Sequence, residues 1–232
     1  MFYYLYHGRL PIVNIHFRKY QYLKSKLIVK MKRKPKVIAT DATAPKKQHW
    51  ATGLLVSMED PDLKVKEDDK VVVIKDKYPK AQFHFLVLPK VNIPSLWHVK
   101  KENEDLLLHM AKVAEDITKE HKDSEFFIGY HAVPSMQRLH LHVISTDFNS
   151  SCLKTKYHWN SYTTPFFLHS KDICKELHEK GELKKLKTED SAEHLNTPLK
   201  CHKCPATPKN MPELKKHLLT HLPNRKSSGS SD

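Results

Sequence analysis

The chain has 232 residues, with 40 Lys and Arg against 26 Asp and Glu, for a formal charge of +14. This length allows one ordinary domain plus something small, and the charge points towards nucleic acid or another polyanion. No apolar stretch approaches the length of a membrane span, and four cysteines, two of them close together at 201 and 204, fit a reducing compartment better than a disulfide framework.

The charge is uneven. Residues 1–40 hold ten Lys and Arg and no acid, which leaves 30 basic against 26 acidic residues, or +4, for the remainder. Residues 1–45 have neither a strand nor a helix period and are expected to form a disordered basic arm. The run Lys30-Met-Lys-Arg-Lys-Pro-Lys36 reads as a nuclear import signal or a polyanion-binding arm. A basic, acid-free start equally fits a mitochondrial targeting segment, and Met31 is an alternative start.

From His49 onward the pattern is globular. Val71 to Asp76 predicts a buried strand, Tyr78-Pro79 a turn, and Phe83 to Leu88 a second strand stopped by Pro89. So short a connection makes the two antiparallel neighbours. Leu106, Leu107, Met110, Val113, Ala114 and Ile117 recur on one face of a helix predicted over 102–121. Phe126 to His131 and Leu139 to Ser145 predict a third and fourth strand, and the charged stretch 172–187 a surface helix. Hairpin-paired strands around one long helix imply an α+β fold, an antiparallel sheet with helices.

The last of these strands carries the chemistry. In Ser135-Met-Gln-Arg-Leu-His-Leu-His-Val-Ile-Ser-Thr146, side chains two apart share a face. His140 and His142 therefore point one way, and Leu139, Leu141 and Val143 point into a core. With Arg138 beside them and Ser135 at the strand entry, the histidines make a cationic cleft suited to a phosphate. A structural strand and a metal site are the competing readings of the same residues.

Beyond residue 198 lies a separate unit. Cys201-x-x-Cys204, twelve intervening residues and His217-x-x-x-His221 supply two thiolates and two imidazoles, a tetrahedral zinc set. So small a unit has almost no core, so metal binding would be its folding energy. A single finger covers about three base pairs, and backbone docking through Lys215 and Lys216 is expected in place of base readout.

His140-Leu-His142-Val resembles the end of the His-x-His-x-His signature of the histidine triad superfamily of nucleotide hydrolases and transferases. Together with Gly129-Tyr-His-Ala-Val-Pro-Ser-Met136, Asp76-Lys-Tyr-Pro-Lys-Ala81, Cys152-Leu-Lys-x-Lys156, His158-Trp-Asn-Ser161 and the finger, it resembles the aprataxin family of DNA deadenylases over about His49 to Leu222. Two departures stand out. Arg138 occupies the place of the first triad histidine, and no forkhead-associated domain is expected before the catalytic segment. The resemblance implies a histidine triad domain over 46–150, a DNA-contacting extension over 151–197, the finger over 198–223 and a disordered tail over 224–232.

By its place in the motif, His140 would be the nucleophile, one ring nitrogen fixed as a donor so that the other is free to attack phosphorus. Ser135, His142, Arg138 and Lys80 are candidate donors to the phosphoryl oxygens. Arg138 would act as a substituted phosphate clamp. His131 would donate a proton to the departing 5′-phosphate, and His84 would support the catalytic group from behind. Asp76 matches the carboxylate that accepts the ribose hydroxyls, and Leu54 and Ile74 match the adenine slot, with core packing as the other reading of Ile74. Trp50 is a candidate wedge against a terminal base pair, or a core residue, and Lys154 and Lys156 would hold DNA phosphates.

The implied activity is removal of AMP from 5′-adenylated DNA, with RNA–DNA junctions as a further substrate class, in a monomeric nuclear enzyme with structural zinc and no membrane partner. Rival expectations are a small-nucleotide histidine triad hydrolase, a degenerate binder of nicked DNA, and a finger-based transcription factor.

Overall fold

Short runs rich in Val, Ile, Leu and Phe build the sheet. In the computed structural model, which describes residues 53–222, six strands pair antiparallel in the order β1-β2-β3-β5-β4-β6. They are β1 (Lys64–Glu67), β2 (Val71–Lys75), β3 (His84–Pro89), β4 (Phe126–His131), β5 (Leu141–Ser145) and β6 (Phe167–His169). The helices are α1 (Gly53–Glu59), α2 (Glu104–Lys119), α3 (Lys156–Thr163), α4 (Ser170–Lys180), α5 (Thr188–Asn196) and α6 (Met211–Leu218). The antiparallel α+β expectation holds, as do the four predicted strands and the long helix.

The period-2 pattern divides the sheet into two faces. On one, Val71, Val73, Phe85, Val87, Leu141 and Val143 join Leu107, Met110, Ala114 and Ile117 of α2 and Ile173 and Leu177 of α4 in the main core. The other face carries two separate clusters. Val72, Ile74, Leu86 and Leu88 pack under Leu54 and Met58 of α1. Ile144 and Phe167 pack with Trp159 and Tyr162 of α3 and with Leu199, Leu214 and Leu218 of the finger segment. By strand alternation, His84 of β3 and His142 of β5 lie on this second face, where the two clusters adjoin.

The charged stretch 172–187 departs from the expectation. Its helix ends at Lys180, where Gly181 takes the left-handed conformation (φ 74°) and closes the C-terminus through its N–H to Leu177 O. It also buries Ile173 and Leu177, so it is a core helix with a charged outer face.

Gly129 is the one position on β4 where a side chain has no room. A Cβ there would collide with the Leu168 carbonyl and stand 2.7 Å from Phe167 Cε1. Gly129 pairs with His142 on one side and His169 on the other. Gly129→Ala is therefore expected to push β6 away from β4. The cost of such overpacking is about 1–3 kcal/mol, read as a fall in Tm of about 2–4 °C per kcal/mol for a chain of this size. An unchanged Tm would contradict the packing described.

Candidate active site

Strands β3, β4 and β5, the turn between β2 and β3, and the entry to β5 bring six titratable side chains together. His84, His140 and His142 are 3%, 6% and 4% exposed, so their hydrogen bonds decide their chemistry. The Lys80 backbone N–H donates to His84 Nδ1 (3.2 Å), which makes that nitrogen an acceptor and places the ring proton on Nε2. His84 Nε2 then donates to His142 Nδ1 at 3.0 Å. The proton of His142 consequently sits on Nε2, a buried nitrogen with no partner among the described residues.

The neighbouring ring has the opposite polarity. His140 Nδ1 lies 2.8 Å from the carbonyl oxygen of Arg138, which can only accept. His140 Nε2 is therefore left with a free lone pair. The His140 and His142 ring centroids are 4.9 Å apart. A nucleophilic nitrogen and an N–H donor thus stand side by side, as attack on a phosphoryl group requires.

Asp76 and Lys80 complete the group. Asp76 Oδ1 accepts from the Tyr78 N–H (2.7 Å), and Oδ2 lies 3.6 Å from His84 Nδ1. Lys80 donates through Nζ to the Tyr78 carbonyl, and its charge lowers the pKa of His84, His131 and His142. His131 stands against His142 (centroids 4.4 Å), with a buried, unpartnered Nε2. Burial, followed by the charges of His140, His84 and Lys80, pushes His131 well below the ordinary imidazole value. Such a ring offers a hydrogen bond to an oxygen beside it.

Burial also lowers His140, against the opposing effects of the Arg138 carbonyl and Asp76. It lowers His142 further, and brings His84 from 6.5 to about 4. These shifts have a sign for stability. The unfolded chain takes up protons at a higher pH than the fold does, so stability present above about pH 6.5 is lost as the pH falls towards 4. At about 1.4 kcal/mol per pH unit, His84 alone accounts for roughly 2 kcal/mol between pH 7 and pH 5. Denaturant unfolding at the two pH values checks it, and His84→Gln should flatten the slope.

Other predicted residues have different placements. Arg138 is buried, and its Nη2 donates to the carbonyls of Pro89 (2.8 Å) and Lys90 (2.7 Å). Those bonds commit Nη2 to backbone, a structural role beside its reading as a phosphate clamp. Ser135 is exposed in the loop before β5, and no hydrogen bond ties it to the histidines. Leu54 and Ile74 are 2% and 1% exposed in the cluster under α1, which is the packing reading. Lys154 and Lys216 are exposed, and Lys156 Nζ donates to Asn196 O at 2.8 Å. Lys215 is a tether, its Nζ on the Ser150 carbonyl at 2.9 Å. Trp50 lies outside the described residues.

One wall was missed. Tyr162 of α3 packs on His84 (5.7 Å), His131 (4.7 Å) and His142 (5.5 Å between centroids). Its signal was the aromatic that follows His158-Trp-Asn-Ser161, one turn from Trp159.

The second cluster is in the finger. Cys204 Sγ lies 3.1 Å from His217 Nε2, Cys201 Sγ 3.5 Å from His221 Nε2, and the two imidazole nitrogens 3.1 Å apart. All four donor atoms lie within 4.8 Å of one another, a convergence that suits a tetrahedral zinc ion. The knuckle is keyed into the rest of the fold. His202 packs edge-on against Phe127, Phe148 and Trp159, Lys203 pairs with Glu125 at 2.7 Å, and Trp159 Nε1 donates to Lys200 O at 3.1 Å. A cavity of about 1230 Å³ lies beside this junction and is lined by Glu120, Asp123, Glu125 and Asp147 as well as Lys122 and Lys203. It shares no lining residue with the histidine site and has the wrong balance of charge for a polyanion.

An antiparallel sheet with a His-x-His strand, next to a two-Cys two-His finger, places the protein in the histidine triad class. Residues 49–158 match the family described as scavenger mRNA decapping enzyme C-term binding, and residues 163–224 the C2HE / C2H2 / C2HC zinc-binding finger. Aprataxin from Ciona intestinalis is 52% identical over 179 residues, covering 75% of this chain and 47% of that protein. An aprataxin-like protein from Saccharomyces cerevisiae is 34% identical over 184 residues, covering 65% of this chain and 83% of its own length. The crystal structure of the aprataxin ortholog Hnt3 in complex with DNA superposes with a TM-score of 0.60 at 25% identity, covering 74% of this chain and 94% of that one. The chain belongs to the aprataxin family. It spans about half the length of the Ciona relative.

Proposed function

We propose that the protein is a DNA repair hydrolase that removes AMP from 5′-adenylated ends left by abortive ligation. The observation that carries the reading is the pair of fixed tautomers, a free Nε2 lone pair on His140 beside an Nε2–H on His142. His140 Nε2 attacks the phosphorus of the adenylate, the anhydride P–O bond breaks, and the DNA departs with a ligatable 5′-phosphate. Water then cleaves the P–N bond of the AMP–His140 intermediate, releasing AMP and returning the neutral imidazole. His142 and His131 donate to oxygens that gain charge, Lys80 adds a nearby positive charge, and Asp76 accepts the ribose hydroxyls.

The finger holds one structural zinc through Cys201, Cys204, His217 and His221, and the reaction itself uses no metal. Lys154, Lys156 and Lys216 offer charge to DNA phosphates, so affinity falls steeply with salt. The Hnt3 complex supports DNA as the partner. In this reading residues 46–150 form the catalytic domain, 151–197 the extension and 198–223 the finger of a monomer, and the Lys30–Lys36 run directs it to the nucleus.

The test is a comparison of turnover on a 5′-adenylated nick and on a dinucleoside polyphosphate. The reading expects the nick to be preferred by orders of magnitude at low salt. Equal or reversed preference would make the protein a small-nucleotide hydrolase, and no turnover on either would leave a binding protein.

A further inference from the structure

We propose that Arg138 is a positioning residue for His140, acting through its own backbone carbonyl. The inference rests on the deadenylase reading for its kinetic consequence but not for its structural one. Arg138 has φ 96°, a backbone region that a residue with a side chain occupies only when its surroundings hold it there. Four hydrogen bonds supply that hold. Its N–H donates to Pro94 O (2.8 Å) and its Nη2 to Pro89 O (2.8 Å) and Lys90 O (2.7 Å), while its carbonyl accepts from His140 Nδ1 (2.8 Å). The next residue adds a fifth contact, Leu139 N–H to Ile93 O at 2.7 Å.

The direction of these bonds matters. Pro89 ends β3 and Lys90 follows it, so the guanidinium fixes the strand entry against the end of β3, while the Arg138 N–H holds the later segment at Pro94. A guanidinium stays charged at any working pH and offers several donors at fixed angles, which suits a site made of carbonyls. With the peptide after Arg138 held in this orientation, its oxygen faces His140 Nδ1 and keeps the proton off the attacking nitrogen. Without the anchor, relaxation of φ towards the common regions turns that oxygen away. The imidazole is then free to carry its proton on Nε2, where it blocks attack. An imidazole at position 138 could not span the two carbonyls in this way, so the substitution changes the means of holding the nucleophile.

The test uses the full chain with zinc bound and two variants, Arg138→Met, which keeps the stem and removes every donor, and Arg138→Lys, which keeps a point charge. Ring nitrogen-15 NMR shifts report which nitrogen of His140 carries the proton, and steady-state kinetics on the adenylated nick report kcat and KM separately. The proposal expects Arg138→Met to shift His140 towards the Nε2–H tautomer and to lower kcat by about 10²-fold, the cost of a misplaced reacting group, with KM within about twofold. Arg138→Lys should recover only part of the tautomer, since one ammonium does not reproduce the fork. A tenfold or larger rise in KM with kcat and tautomer unchanged would overturn it in favour of a phosphate clamp. No change in either would also overturn it, and so would full recovery of KM by Arg138→Lys after a loss in Arg138→Met. If the parent protein has no turnover, the deadenylase reading fails, while the tautomer shift still decides the role of Arg138.

Discussion

His140→Ala should reduce turnover on a 5′-adenylated nick by at least about 10⁴-fold, the scale seen when a covalent nucleophile is deleted, while the fold and nick affinity survive. The ring is small, and among the described residues its one hydrogen bond is to Arg138 O. Its removal leaves one carbonyl without a partner, a cost of about 1–3 kcal/mol. His142→Ala is expected to do less, since it removes a donor to the phosphoryl oxygens and leaves the attacking nitrogen in place. The two effects will not add, because both rings serve one transition state. The measurements are single-turnover rates and nick affinity for each variant. Retention of more than a tenth of the parent rate in His140→Ala would sink the covalent account.

The second large effect concerns the metal. Removing zinc by chelation, or replacing Cys204 with Ser, should unfold the finger outright, since a unit of this size is held by its metal. The damage should not stop there. Leu199, Cys201, Leu214 and Leu218 share a cluster with Phe148, Trp159 and Tyr162, and His202 sits edge-on to Trp159. Trp159 and Tyr162 lie on one helix, α3, and Tyr162 walls the catalytic histidines. Metal loss is therefore expected to shift Trp159 emission to the red and to lower Tm. It should also slow hydrolysis of a substrate too small to reach the finger. One equivalent of zinc per chain should restore all three. A metal-free protein with unchanged Trp159 emission would show that the finger is an appendage and not a buttress.

Some of this was legible from residue order and some was not. The alternation around His140 and His142 fixed which side chains share a face, because a strand has a period of two. The α2 stripe was equally plain over sixteen residues. Strand β6 was not, because three residues, Phe167–His169, give no period to read. Helix α3 was hidden for another reason. Four of its eight residues, Trp159, Asn160, Ser161 and Tyr162, are buried, so no polar face marks it as amphipathic. The carboxyl end of α4 was misplaced because the charge pattern runs past Gly181, which ends the helix by its backbone conformation.

At the site, the residue types were readable and their partners were not. Nothing local says that His84 passes its proton towards His142, 58 residues away. The same holds for Arg138, whose carbonyl partners lie 48 and 49 residues earlier in the chain. A cation in a phosphate-binding motif reads as a phosphate ligand until those carbonyls are placed around it. Lys215 likewise has a distant partner, its tether to Ser150 spanning 65 residues. His202 and Lys203 lie between two metal ligands, and nothing local marks them. Their keying into Phe127, Phe148, Trp159 and Glu125 is purely tertiary.

The most direct measurement is an acid-free rapid quench of the zinc-loaded protein with 5′-adenylated DNA labelled in the adenylate. A phosphoramidate on His140 predicts protein-bound label that appears before free AMP, survives base, is lost in acid and maps to the peptide carrying Arg138 to Ser145. Free AMP formed at the full steady-state rate with no protein-bound label at any time, or label that persists in His140→Ala, would contradict the account.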